Sequence, residues 1–192
     1  MELILLNKDE VKKIYFTKMT EDFPENELKP LNSIFKMMDD GAYDPLAVVE
    51  NNKIIGYAFI AKLKNTNYIL LDYLAIFIEY RQKSAGSRVL AALKSLYSDK
   101  IIFIESENPD FMDKKEIPNR RLNFYKRNNC VDTNVLSVIW DAPYINMYLT
   151  NMDIKLDTSV CLEAISGFYK YMIKNEETYK KHVKIYPGDS VK

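Results

Sequence analysis

The stretch Leu71–Leu90, LDYLAIFIEYRQKSAGSRVL, holds the residues whose types and spacing most readily do chemistry. A nearly continuous apolar run ends in a short loop, Arg81, Gln82, Lys83, Ser84, Ala85, Gly86 and Ser87, and a helical pattern opens directly behind it. The first turn of a helix carries unpaired N–H groups and a partial positive charge, and small residues let a phosphate approach the backbone. Arg81, Lys83 and Arg88 add cations at the same end, so the segment reads as an anion site; its plain alternative is a strand-to-helix turn with solvated charges. Asp72 is the one charge inside the apolar run, and a charge there needs a partner or a task.

Other chemistries are excluded by counting. The chain has 192 residues, 27 basic and 27 acidic side chains, two cysteines, one histidine and five glycines. Zero net charge gives no broad footprint for nucleic acid or an anionic membrane. Cys130, Cys161 and His182 lie far apart, so no zinc-ligand spacing exists, and no metal is expected. A hydrolase triad would need His182, which stands in a lysine-rich stretch and reads as a solvated side chain. Gly41, Gly56, Gly86, Gly167 and Gly188 are too scattered for a GxGxxG or Walker A loop. The first ten residues carry Glu2, Asp9 and Glu10, unlike a secretory signal, and the longest apolar stretch, Tyr68–Ile78, is interrupted by Asp72. The expectation is a cytoplasmic protein with reduced cysteines.

The apolar fraction of 47% and the length fit one globular unit, and the order of elements along it is of mixed α/β class. Leu3–Leu6 reads as a short strand. Asn7 and Glu10 have capping-box spacing ahead of a helix from about Lys8 to Asp22, and a second amphipathic pattern runs from Leu28 to the stop at Gly41. Leu46–Glu50 and Ile54–Lys62 read as a hairpin across Asn51 and Asn52, and Tyr68–Ile78 as a central strand buried on both faces. A helix from Ser84 to Tyr97 and a strand Ile101–Glu105 imply a parallel crossover. After a polar loop, Glu107–Pro118, come a helix Asn119–Asn128 and an antiparallel pair, Asn134–Trp140 and Tyr144–Leu149. From Asp157 one long helical pattern passes into a charged run through Lys184, either a helix packed on the domain or a lid or oligomer contact.

With these residues in view, the sequence resembles the GNAT superfamily of acetyl-CoA-dependent N-acyltransferases. The family signature is Arg or Gln, two residues, Gly, one residue, then Gly or Ala, after a strand ending in an aliphatic, Ala, Val-like triplet. Here the triplet is Leu74, Ala75, Ile76 and the loop is RQKSAG, with Arg81 first, Ser84 where the family usually has glycine, and Gly86 kept. Ile78 replaces the proline common after the strand. LNFYKRNNC resembles the family's late helix, with Tyr125 in the position of the tyrosine that faces the thiol. The order of elements matches that fold over about Leu3–Leu149.

The resemblance implies a mixed sheet flanked by helices, with residues 1–150 as the acyltransferase domain and 151–192 as a helical extension packed on it. It implies that pantetheine lies between two splayed strands against Leu74, Ala75 and Ile76, with the pyrophosphate on the loop from Arg81 through Gln82, Lys83, Ser84, Ala85 and Gly86 to Ser87. Acetyl-CoA is the implied co-substrate, and a primary amine, on a small molecule or a peptide, the acceptor. An alkylamine with a pKa of about 10.4 is almost wholly protonated at pH 7, so a base is useful. Glu105 is ranked first for that role, since Glu105 and Glu107 project to one side of a strand, with Glu107 and Asp72 behind it. Tyr125 is the implied proton donor to the departing thiolate. Tyr15, Phe16, Phe23, Tyr43 and the acidic stretch Glu105–Glu116 are expected to line the acceptor site. A non-catalytic acyl-CoA-binding sensor or interaction module remains the rival reading, and either a monomer or a homodimer is compatible.

Overall fold

Residues 1–81 and 84–188 are described by a computed structural model of the chain. Eight strands form one sheet: β1 (Glu2–Leu5), β2 (Tyr43–Glu50), β3 (Lys53–Lys62), β4 (Tyr68–Ile76), β5 (Ile101–Glu107), β6 (Val131–Ile139), β7 (Ala142–Thr150) and β8 (Val183–Pro187). Their order is β1-β2-β3-β4-β5-β7-β6-β8, and among these pairs only β4 and β5 are parallel. The helices are α1 (Lys8–Ile14), α2 (Thr20–Asp22), α3 (Leu31–Asp39), α4 (Ala85–Leu96), α5 (Glu116–Arg127), α6 (Thr158–Met172) and α7 (Glu176–His182). This is the mixed α/β architecture that the sequence implied.

Each face of the sheet buries its own core. Val11, Ile14, Ile34, Met37, Ile165 and Phe168 bring α1, α3 and α6 onto one face. Val89, Leu90, Leu93 and Leu122 bring α4 and α5 onto the other. Each such side chain removed from water contributes roughly 1.5–3 kcal/mol before entropy is counted.

Local chemistry sets most of the boundaries. Asn7 accepts from the Asp9 and Glu10 amides while Glu10 returns a bond to the Asn7 amide, closing the capping box that opens α1. The single helix expected over Lys8–Asp22 is instead α1, a π-helical stretch at Tyr15–Met19 and α2. α3 begins only after Pro30, which disfavours helical backbone at Lys29, and Gly41 (φ +66°) ends it. Asn51 and Asn52 both have positive φ, as the β2–β3 hairpin requires, and Trp140 and Asp141 do the same between β6 and β7. α5 starts three residues earlier than its sequence pattern, because Pro118 is tolerated in a first turn.

The tail differs most from expectation. α6 ends at Met172, the Asn175 side chain accepts from the Thr178 amide to open α7, and Val183–Pro187 then pairs antiparallel with β6. Five residues of period-two pattern were too few to separate from the helical charge run beside them. His182 does not stand free in solvent: its ring stacks on Trp140 at 3.8 Å.

Candidate active site

The site arises where β4 stops pairing with β5. The parallel ladder runs only from Tyr68↔Ile101 to Leu71↔Ile104. Beyond it, β4 stays on β3 through Ile76 and β5 stays on β7 through Glu107, so the two strands separate. On the β3 side, Ile60 pairs with Leu71 and Phe59 with Tyr73, leaving Asp72 as an extra residue on β4. Such a bulge bends the strand that carries it, and this one falls where the split begins. Gly56 keeps β3 close to the diverging end: a Cβ there would stand 2.3 Å from the Ala75 carbonyl oxygen.

A cleft of about 740 Å³ occupies the split, lined by Asp72–Ile76 of β4, Glu105 of β5, Arg121 and Tyr125 of α5, Tyr144 of β7 and Tyr169 of α6. The segment from Asp22 to Pro30 forms another wall. Asp72, whose place in an apolar strand demanded a partner, has two: Lys29 Nζ donates to Oδ1 at 2.7 Å and the Tyr43 hydroxyl to Oδ2 at 2.5 Å. Burial works against the Lys29 ammonium, but Asp72 outweighs it and holds the pKa above the ordinary lysine value. The Tyr73 hydroxyl donates to the Glu27 carbonyl and accepts from the Lys29 amide, both at 2.8 Å, fastening the segment that carries Lys29.

Glu105 has a different environment. The Tyr169 hydroxyl donates to its Oε2 at 2.5 Å, while its Oε1 is buried with no hydrogen-bond partner among the described residues. Burial raises its pKa to about 7; the Tyr169 bond and Lys29 resist the shift, and Asp72 and Glu27 add to it. Glu27, half-buried across the cleft, is also raised, first by burial and then by Glu107, while Arg121 and Tyr144 oppose the shift. Glu107, the second carboxylate candidate, is paired with Arg121 at 2.7 Å. Among the described residues, Glu105 and Glu27 are thus the two carboxylates of the wall that form no ion pair, since Asp72 has Lys29 and Asp22 has Arg81.

Tyr125 belongs to the opposite face, in the core with α4, yet it reaches the same cleft. Burial lifts its phenol to about 12, although Arg121 pulls the other way. The split in the sheet therefore joins a face bearing Glu105 to a face bearing Tyr125.

At the far end of β4 the loop leads into α4, whose first intrahelical bond is Arg88 N to Ser84 O at 3.1 Å. The Gly86 and Ser87 amides precede that bond and lie in the turn where helix N–H groups have no intrahelical acceptor. Gly86 also packs closely: a Cβ there would meet the Phe124 ring at 3.0 Å. Ser84 holds φ 60° and ψ 28°, a left-handed conformation that glycine adopts without strain. Ser84→Gly should raise stability by about 0.5–1 kcal/mol, a gain of a few degrees in Tm by thermal denaturation.

Two of the expected loop cations are engaged elsewhere. Arg81 donates through Nε to the Ile76 carbonyl at 2.7 Å and through its terminal nitrogen to Asp22 at 3.1 Å, tying the end of β4 to α2. Arg88 pairs with Glu50. Gln82 and Lys83 lie outside the described residues. Among the expected acceptor-side aromatics, Phe23 lines the cleft, Tyr43 is buried behind Asp72, Tyr15 bonds to the Lys29 carbonyl, and Phe16 faces solvent. Glu27, Lys29, Tyr144 and Tyr169 were not singled out from the sequence; each becomes visible only when separate elements converge.

The chain's residues 8–111, just over half of it, match the model of the acetyltransferase (GNAT) family. No curated protein matches the chain at a significant level. Among solved structures, a protein from Bacteroides thetaiotaomicron described as a GNAT-family acetyltransferase superposes with a TM-score of 0.71 at 19% identity, covering 91% of this chain and 98% of its own. A spermidine N-acetyltransferase chimera built in part from the Vibrio cholerae protein gives 0.59 at 12% identity, covering 78% and 95%. An aminoglycoside 6'-N-acetyltransferase complexed with coenzyme A gives 0.57 at 14%, covering 81% and 100%. At such identities the structural likeness is one of fold, and the family follows from the sequence match: the chain belongs to the acetyltransferase (GNAT) family.

Proposed function

We propose that the protein is an acetyl-CoA-dependent N-acetyltransferase that acts on a primary amine by direct attack on the thioester. The observation that carries this reading is Glu105: a buried carboxylate set where β4 and β5 part, with one oxygen unpartnered among the described residues, and burial pushes its pKa up to about 7. A base of that pKa is ionised enough near neutrality to accept a proton from an ammonium and returns it to solvent readily.

Acetyl-CoA supplies the activated acetyl group. The diverging end of β4, Leu74–Ile76, offers backbone groups no longer used by β5, and the α4 N-terminus offers amides and a positive dipole for the diphosphate. An amide of the Leu74–Ile76 segment would stabilise charge developing on the thioester oxygen, an effect worth roughly 2.7–4 kcal/mol when well placed. Glu105 takes the proton from the attacking nitrogen, and Tyr125, from the other face, protonates the leaving sulfur. Asp72 does not compete for the base role, because Lys29 and Tyr43 hold both its oxygens. Glu107 is held by Arg121. The wall carries Asp22, Glu27, Asp72 and Glu105 against Lys29, Arg81 and Arg121, a balance that favours a cationic amine as acceptor.

The test is thiol release from acetyl-CoA against spermidine, an aminoglycoside and a lysine-containing peptide, with coenzyme A binding followed by calorimetry. The expected result is coenzyme A binding together with amine-stimulated release. Binding without stimulated release would favour the non-catalytic acyl-CoA module, and no binding would remove the assignment. Tyr125→Phe should lower kcat by about 10-fold or more with little change in the acceptor KM, since a proton donor acts in the transition state. An unchanged kcat would remove Tyr125 from the reaction.

A further inference from the structure

The base proposed above belongs to β5, but the group that holds it comes from the tail. α6 lies beyond residues 8–111 that match the family model, and it lines the cleft with Tyr169 and Met172, joined by Ile173 just past its end. Tyr169 is 4% exposed and donates its hydroxyl to Glu105 Oε2 at 2.5 Å. Phe168 and Ile165, fully packed on the sheet, fix the helix that presents it.

We infer that Tyr169 is a positioning residue of the active site: its hydroxyl holds Glu105 Oε2 so that Oε1 faces the acceptor amine, and it favours the carboxylate over the acid. The tail is thereby a working part of the site, resting on the role of Glu105 proposed above. A phenol donates to a carboxylate but gains less from a carboxylic acid, so the bond stabilises the ionised form. The other groups facing Glu105 are Lys29, which also favours ionisation, and Asp72 and Glu27, which oppose it; Tyr144 of β7 stands close enough to feel its charge. Removing the Tyr169 hydroxyl leaves burial and two carboxylates acting against Lys29 alone.

The test uses the full chain with Tyr169→Phe, which keeps the packed ring, and Glu105→Gln as reference. In the unaltered protein kcat/KM should climb with pH through a midpoint near 7 set by Glu105. Tyr169→Phe should move that midpoint up by about one unit, so that activity falls roughly tenfold at pH 6 and recovers most of the loss by pH 9. A structural role alone would lower activity equally at every pH, and an unmoved midpoint with Glu105→Gln inactive would overturn the inference. If Glu105→Gln retains activity and its pH limb, the base assignment fails instead. Should Tyr169→Phe not fold, carbon-13 labelling of glutamate carboxyls and tyrosine rings in the unaltered protein decides the coupling. The Tyr169 ring carbon bearing oxygen should shift with the same midpoint as the Glu105 carboxyl, and independent behaviour would again overturn it.

Discussion

Glu105→Gln is expected to lower kcat by about 10²–10⁴-fold, the span a positioned general base typically supplies, while leaving coenzyme A binding within a factor of about two. Glutamine preserves the shape and can still accept from Tyr169, but it cannot take a proton from the attacking amine. The pH profile separates this from a packing effect. In the unaltered protein the rate rises as the carboxyl loses its proton near 7, because only the ionised form is a base. The variant should lose that limb and retain a rise governed by the amine itself, near its own pKa of about 10. Steady-state kinetics between pH 5.5 and 9.5 would read both effects.

Asp72→Ala should destabilise the fold by about 3–5 kcal/mol, the largest stability change we expect from any single substitution at the site. The Asp72 side chain is 3% exposed and that of Lys29 22%, so removing the carboxylate leaves an ammonium with little water to replace its partner. The Tyr43 hydroxyl loses its acceptor in the same step. For a chain of this length the change corresponds to a fall in Tm of roughly 10 °C, readable by circular dichroism or calorimetry. Asp72→Ala combined with Lys29→Met should recover a substantial part of the loss, because the cost lies in the unpaired charge more than in the missing bond.

Much of this architecture was legible in the residues because it is locally determined. The capping box at Asn7 and Glu10, the paired asparagines at 51 and 52, and the long apolar run of β4 each encode their element with a few neighbours. Strand alternation then pointed to Glu105 and the family resemblance to Tyr125, and both line one cleft. Long-range information stayed hidden. Lys29 reads as an ordinary charge before a proline, and nothing nearby says that it will meet Asp72, 43 residues on. Tyr169 falls on the apolar stripe of α6 and reads as core, which it is, except for one hydroxyl. The engagement of Arg81 by Ile76 and Asp22 was equally invisible, because it depends on where α2 ends relative to the tip of β4. Charge in a sequence indicates that partners are needed, and only the fold selects them.

The bulge at Asp72 has a meaning apart from the carboxylate it carries. A single surplus residue along β4 makes the strand too long for its neighbour, and the mismatch is resolved by turning outward. The bend is therefore set by a count more than by an alphabet: deleting one residue at the bulge should restore an unbroken register with β3 and take away the bend that coincides with the parting from β5.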